Sequence, residues 1–174
     1  MGRTLVAYFS RAGENFYDGS YRYVLVGNTE IVVNHIKELI DVEYFKIEMK
    51  EPYSVNYNTC IEQAKKDQRM HARPEIGEDM LNGVEEYDNI ILAYPLYWGT
   101  LPMAMFTFLD KYMWTGARIL PLCTHEGGGM GRSEQDIRSL CIGARVEKGL
   151  AITGSQAEYA KPLVEEWLKE NGLL

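Results

Sequence analysis

The chain has 174 residues, 46% hydrophobic and 25% charged, a composition typical of a folded globular protein, and we expect residues 1–174 to form a single domain. Its formal net charge of −7 disfavours nucleic acid and anionic membranes as partners, because both carry dense negative charge. No apolar run approaches the roughly 20 residues that span a bilayer, so we expect no membrane insertion.

Strands and helices alternate along the first half of the chain. Thr4–Phe9 is a short, mostly apolar run typical of a strand that is buried on both faces. Thr29–Ile40 carries apolar residues at helical spacing, and Asn28 is placed to cap its start. Glu43–Met49 alternates strictly and predicts a second strand, and Asn58–Met70 predicts a polar helix.

The second half continues the alternation. The clearest central strand is Asn89–Tyr94, and the elements predicted after it are a helix Met103–Tyr112, a strand Ala117–Thr124, a helix Ser133–Leu140 and a strand Val146–Ile152. The last helix is predicted over Ser155–Leu168, where Ser155 and Glu158 fit a capping box. Pro162 lies inside that span, so the helix is expected to kink or to start later.

A β-α unit repeated about five times predicts an α/β fold with a parallel sheet and helices on both faces. In such sheets ligands bind beyond the carboxyl ends of the strands. The three most unusual segments of the sequence are the loops that follow the first, third and fourth of these strands.

The loop after the first strand contains Ser10 and, after a long interruption, Gly27, Asn28 and Thr29 at the start of a helix. Backbone N–H groups and hydroxyls in this position can bind a phosphate, although a plain turn with a helix cap fits the same residues. A lysine is missing from the position that a P-loop requires, which disfavours a nucleotidase.

The other two loops favour a flat ligand. Pro95–Pro102 contains Tyr97 and Trp98, whose rings could stack on an isoalloxazine or could simply cover the core. Thr124–Ser133 is rich in glycine, which allows close approach to a ligand but is equally typical of a flexible hinge.

Four motifs occur in a fixed order along nearly the whole chain: Tyr8-Phe9-Ser10-Arg11, Gly27-Asn28-Thr29, Tyr94-Pro95-Leu96-Tyr97-Trp98-Gly99 and Thr124-His125-Glu126-Gly127-Gly128. In this the chain resembles the flavodoxins. The resemblance implies a flavodoxin-like three-layer sandwich whose five-stranded parallel sheet has the order 2-1-3-4-5, and it implies bound FMN. FMN is preferred to FAD because the dinucleotide fingerprint Gly-x-Gly-x-x-Gly with its acidic residue does not accompany these motifs.

The resemblance also implies roles for individual residues. The FMN phosphate would be held by Ser10, Asn28 and Thr29, with Arg11 and Ala12 at the rim of the loop. One side of the ring would be flanked by Pro95, Leu96, Tyr97, Trp98 and Gly99. Its other edge would be covered by Thr124, His125, Glu126, Gly127, Gly128 and Gly129. No metal site and no acid–base pair are expected.

By the same resemblance the flavin would carry electrons between redox partner proteins, a donor reductase and an acceptor enzyme. An NAD(P)H-dependent FMN reductase of quinones or flavins is the alternative, so whether the protein is an enzyme is left open. A flavin-free binding module on the same scaffold is a third reading. Three cysteines, odd in number and without metal-ligand spacing, argue against a disulfide framework and favour the cytoplasm.

The sequence departs from the family pattern at one place, where Ala12–Val26 interrupts the phosphate loop. Asp18-Gly19 favours a tight turn, so a short β-hairpin with these residues at its tip is predicted. Tyr17, Tyr21 and Tyr23 share one parity and are expected on one face. The segment could be a lid or docking surface at the site, or a tolerated surface excursion.

Overall fold

The computed structural model describes residues 2–80 and 83–174. The elements in chain order are β1 (Thr4–Tyr8), β2 (Gly13–Tyr17), β3 (Ser20–Val24), α1 (Asn28–Leu39), β4 (Glu43–Lys46), α2 (Tyr57–Arg69), β5 (Asn89–Pro95), α3 (Met103–Asp110), β6 (Arg118–His125), α4 (Ser133–Leu140), β7 (Arg145–Val146), β8 (Leu150–Thr153), a 3₁₀ helix (Gly154–Tyr159) and α5 (Lys161–Glu170). Within the described ranges, every helix is too short or too polar to cross a membrane.

The main sheet is parallel and runs β4-β1-β5-β6, with β7 and β8 both pairing with β6 at the far edge. The predicted order 2-1-3-4-5 is therefore confirmed. The fifth strand differs in detail, because it is divided into β7 and β8 at residues 147–149. There Glu147 forms ion pairs with Arg118 at 2.7 Å and Arg145 at 2.5 Å, and the Gly149 N–H donates to Glu134 at 2.5 Å.

Both faces of the sheet are covered, which explains why β1, β5 and β6 are apolar along their length. Successive side chains point to opposite faces. One face packs on α1 and α5 through a cluster that includes Val6, Val32, Ile36, Ile91, Leu120 and Val164. The other face packs on α3 and α4 through a cluster that includes Leu5, Ile90, Met105, Phe108, Ile119 and Ile137.

Two predicted helix starts are corrected by the structure. The N-cap of α1 is Gly27 rather than Asn28, and the Oγ of Ser10 accepts the Glu30 N–H at 3.1 Å from the neighbouring loop. The last helix begins at Lys161 instead of Ser155, because Pro162 lacks an N–H and is tolerated only in the first helical turn. The predicted capping box at Ser155 is therefore wrong.

The segment between β1 and α1 forms the predicted hairpin, a separate antiparallel sheet of β2 and β3. Asp18 and Gly19 form its turn at φ of 47° and 83°, the left-handed conformations that a two-residue hairpin turn requires. The predicted common face for the tyrosines is wrong. Because Phe16 pairs with Tyr21 and Tyr17 with Ser20, the turn places Tyr17 on the face opposite to Tyr21.

One hydrogen bond connects the central strand to the first residue of α4, and the effect of removing it on stability should be measurable. The buried Tyr94 hydroxyl donates to Ser133 Oγ at 2.7 Å. We expect Tyr94→Phe to lower the free energy of unfolding by about 1 kcal/mol in urea denaturation, because the Ser133 oxygen loses a buried partner. Tyr159→Phe is the matched control, since this side chain is 73% exposed and should change stability by less than about 0.5 kcal/mol. Equal effects of the two substitutions would contradict the assignment.

Candidate functional site

A cavity of about 270 Å³ lies at the carboxyl ends of β1, β5 and β6. The three loops that follow these strands all reach it. Its walls are formed by Ser10, Arg11, Asn15, Phe16, Asn28, Thr29, Tyr57, Cys60, Ile61, Ala64, Pro95, Leu96, Tyr97, Trp98, Thr124, His125, Glu126 and Gly154. Hydroxyl and amide groups line the cavity around the end of β1 and the start of α1, which we call the polar end. Aromatic and aliphatic side chains line it at the turn after β5 and on α2, which we call the aromatic end.

The polar end is built on the first turn of α1. Gly27 lies so close to Ser10 and to the Arg11 backbone that a Cβ at this position would collide with both. This close approach brings the Ser10 hydroxyl onto the helix N-terminus, where unpaired N–H groups and the helix dipole favour an anion. The buried Thr29 hydroxyl is hydrogen-bonded to the Thr124 hydroxyl at 2.7 Å, which connects the start of α1 to the end of β6.

Arg11 lines the cavity but uses most of its donors to hold the protein together. Its guanidinium donates to the backbone carbonyls of Glu14 at 2.5 Å, Ser54 at 2.7 Å and Val55 at 2.8 Å. Arg11 therefore fastens the base of the hairpin to the segment before α2. The Arg11 Nε is buried and has no hydrogen-bond partner within the described residues.

The turn after β5 presents two aromatic side chains to the cavity. Backbone hydrogen bonds between Tyr97 and Thr100 close the turn, and Trp98 and Gly99 occupy its centre with φ of 50° and 83°. Trp98 is 43% exposed, yet its Nε1 donates to the Ile61 carbonyl of α2 at 2.8 Å. Tyr97 packs edge-on against Phe9 with ring centroids 6.1 Å apart, and burial raises the pKa of its hydroxyl.

Lys65 adds a positive charge on the outer side of this turn. Its Nζ lies 4.3 Å from the centroid of the Trp98 ring, within the range of a cation–π contact. Gln68 of the same helix donates to the Trp98 carbonyl at 3.2 Å. Helix α2 thus fixes both the ring and the backbone of Trp98.

The end of β6 contributes Thr124 and His125 to the cavity, and the loop that follows contributes Glu126. The His125 Nδ1 accepts the Gly127 N–H at 2.9 Å, so the neutral ring carries its proton on Nε2. Burial lowers the pKa of His125. Partial burial raises the pKa of Glu126, although hydrogen bonds from the backbone of Ser155 and Asp18 act in the opposite direction.

The glycine-rich segment at 127–131 lies behind the turn after β5. Its neighbour Arg132 donates its backbone N–H to the Gly99 carbonyl at 2.8 Å. Gly127, Gly128 and Gly129, together with Ala12 and Gly99, lie outside the cavity wall. The structure brings the other predicted site residues together there: Ser10, Arg11, Asn28, Thr29, Pro95, Leu96, Tyr97, Trp98, Thr124, His125 and Glu126.

Sequence reasoning missed one whole wall of the cavity. Helix α2 supplies Tyr57, Cys60, Ile61 and Ala64, which follow one another at the i, i+3, i+4, i+7 spacing of a helical stripe. That spacing was the available signal. Asn15 and Phe16 of the hairpin and Gly154 after β8 are also missed, and only their contacts across the fold reveal them.

The chemistry available from the protein itself is limited. Burial raises the pKa of the Cys60 thiol and raises that of Cys123 to about 12, so both are neutral at physiological pH. Among residues 2–80 and 83–174, no three His, Cys, Asp or Glu side chains are placed to hold a metal ion. The lining of the cavity, which combines polar groups with aromatic and aliphatic side chains, is typical of a site for a small organic ligand.

Comparisons with known proteins agree with this geometry. The family model described as Flavodoxin matches residues 19–171. A flavoprotein from Lactobacillus acidophilus, solved in complex with FMN, is 18% identical, with 91% of this chain and 98% of that chain covered and a TM-score of 0.64. A flavodoxin from Fusobacterium nucleatum, bound to flavin mononucleotide, is 14% identical, with 99% and 98% covered and a TM-score of 0.56.

A candidate flavoprotein from Bacteroides eggerthii is 18% identical, with both chains fully covered and a TM-score of 0.78. At these identities the structural likeness establishes the fold alone. No curated protein matches the chain in sequence.

Because His125 is partly buried, its protonation should make the stability of the folded protein depend on pH. With its pKa lowered from about 6.5, the folded protein binds this proton less readily than the unfolded chain. The contribution of His125 to stability is thus complete above about pH 6.5 and decreases as the pH falls towards the folded pKa. We expect its imidazole to titrate below about pH 6.5 by NMR, with His125→Gln used to assign the resonance. A titration at or above that value would contradict the prediction.

Proposed function

Because this chain belongs to the flavodoxin family, we propose that it binds FMN in the cavity described above and transfers electrons between redox partner proteins, a donor reductase and an acceptor enzyme. The observation that carries the proposal is the meeting of all three strand-end loops in one cavity with a polar end and an aromatic end. The three buried cysteines are free, which fits a site of action in the reducing cytoplasm.

The polar end fits a phosphate. Ser10 and Thr29 would offer hydroxyl groups to it, and the first turn of α1 would offer backbone N–H groups. On the opposite side, a Cβ at Gly154 would lie 2.5 Å from Asn28 Nδ2 and 2.8 Å from Glu126 Oε1. The absence of a side chain at Gly154 therefore lets the 3₁₀ helix approach Asn28 and Glu126 closely.

The aromatic end fits an isoalloxazine ring. Tyr97 and Trp98 would contact one side of it, and His125 would approach from the end of β6 with the Nε2–H available as a donor. FMN supplies the electron chemistry when bound, and the protein supplies orientation, exclusion of water and electrostatics. The carboxylate of Glu126 would disfavour added negative charge on the ligand, whereas Lys65 behind Trp98 would favour it.

One feature favours the carrier over an NAD(P)H-dependent reductase. The net charge of −7 suits docking to partners with basic surfaces and disfavours the polyanionic phosphates of free NADPH.

The role of Trp98 can be tested by flavin affinity. We expect Trp98→Ala to weaken FMN binding by on the order of 1 kcal/mol in a fluorescence titration, because an aromatic contact is lost. Trp98→Phe should retain most of the affinity, since it keeps a ring at the same place. Met113→Ala, at a residue 70% exposed and outside the cavity wall, serves as a control. An unchanged affinity in Trp98→Ala would remove this turn from the proposed ring site.

A second experiment separates the carrier from the reductase. The flavin released from purified protein should have the mass of FMN. The FMN-loaded protein should be reduced by dithionite or by a flavodoxin reductase, and it should oxidise NADPH no faster than free FMN does in the presence of a quinone. NADPH oxidation with saturation kinetics would overturn the carrier in favour of the reductase, and recovery of FAD at full occupancy would overturn the choice of cofactor.

A further inference from the structure

We propose that the β2–β3 hairpin determines which flavin the site accepts, by closing the phosphate end of the cavity so that a mononucleotide fits and an adenine dinucleotide is excluded. This inference rests on the proposed function. It assigns a role to the insertion at residues 12–26, which flavin binding by the three strand-end loops does not itself require.

The hairpin lies directly over the polar end of the cavity. Its segment runs between Arg11 and Asn28, which both line the cavity. Its own residues Asn15 and Phe16 also line the cavity. A phosphate at Ser10 and Thr29 would therefore lie beneath it. FMN ends at that phosphate, whereas FAD continues from it through a second phosphate to an adenosine.

One side of the hairpin is fixed to α2. Phe16, Tyr21 and Tyr57 form an aromatic cluster with ring centroids 5.4 to 6.1 Å apart. The Glu14 N–H donates to the Val55 carbonyl at 2.9 Å, and the Glu14 carboxylate accepts the first N–H of α2, from Tyr57, at 3.1 Å. An adenosine could pass on this side only by disrupting the cluster and the start of the helix.

The other side is closed by a smaller contact, which we call the latch: the Tyr17 hydroxyl donates to the Ser155 carbonyl at 3.2 Å, and the Ser155 N–H donates to Glu126 at 2.9 Å. Arg22 lies 4.7 Å from the centroid of the Tyr17 ring and holds it in place. The 3₁₀ helix that carries Ser155 is itself fixed, since the His35 Nε2 donates to the Ala157 carbonyl at 3.0 Å.

The hairpin thus spans the cavity from α2 to the 3₁₀ helix and is hydrogen-bonded to the protein on both sides of the phosphate end. The latch is the weaker of the two sides, so it is where a dinucleotide would have to open the protein. Opening it would break the Tyr17 hydrogen bond and the contact with Arg22. Binding of FAD would require this opening and would therefore be weakened, whereas binding of FMN would not.

The test compares the dissociation constants of FMN and FAD, measured by flavin fluorescence, in the full-length protein and three variants. Wild type should bind FMN about 100-fold more tightly than FAD, a difference of about 2.7 kcal/mol. Replacement of residues 12–26 by a short glycine linker should bring FAD to within about tenfold of FMN, because each tenfold step corresponds to about 1.4 kcal/mol.

Tyr17→Ala removes the latch alone and keeps the proposal testable if the linker variant fails to fold, as judged by circular dichroism. It should strengthen FAD binding by about tenfold while FMN affinity changes by less than about threefold. Tyr23→Ala is the matched control, because Tyr23 is 66% exposed on the face opposite to Tyr17 and should leave the ratio of the two constants unchanged.

An unchanged ratio in Tyr17→Ala and in a folded linker variant would overturn the proposal, as would equal affinities of wild type for FMN and FAD. In those cases flavin binding itself would remain intact. Failure of wild type to bind any flavin would instead overturn the proposed function, and this inference with it.

Discussion

Tyr8 of β1 pairs with Ala93 of β5, and Ala93 pairs with Leu122 of β6, so that three buried strands end at the same edge of the sheet. This register is fixed by burial on both faces, because a shift of one residue would exchange the side chains that meet α1 and α5 with those that meet α3 and α4. The loops that leave the three strands are consequently brought together without any need for direct recognition between them. The hydrogen bond between Thr29 and Thr124 then holds the start of α1 against the end of β6.

The hairpin and α2 depend on each other in a similar way. A long insertion adds only a small entropic cost of loop closure, so length alone does not require a function for it. Yet Arg11 donates three hydrogen bonds to backbone carbonyls, one in the hairpin and two in the segment before α2. The Glu14 carboxylate accepts the first N–H of α2. The insertion is therefore part of the cavity wall rather than an excursion from the surface. Arg11, which the family resemblance placed at the rim of the phosphate loop, serves largely to hold that wall together.

Much of the fold could be predicted from local patterns. Thr4–Phe9 and Asn89–Tyr94 are recognisable as buried strands from their continuous apolar character, and Asp18-Gly19 specifies its turn. The wall formed by α2 was missed because Tyr57 and Cys60 meet the other loops only through contacts between segments distant in sequence. The position of the glycine-rich segment behind the turn after β5 likewise depends on contacts distant in sequence. Four glycines permit many backbone conformations and specify none of them. Helix starts were the least predictable feature, because the hydroxyl of Ser10, from another loop, accepts the Glu30 N–H that an N-cap side chain would otherwise accept.

The division of the outermost strand into β7 and β8 bears on how copies of the protein meet one another. An uninterrupted edge strand offers a row of free N–H and C=O groups on which a second sheet can assemble. Here the edge is only two residues long in β7 and four in β8, and the break between them carries the charged side chains of Glu147 and Lys148. The Gly149 N–H is already bonded to Glu134 and is not available to a neighbour. This edge is therefore a poor template for strand-to-strand pairing with a second copy of the chain.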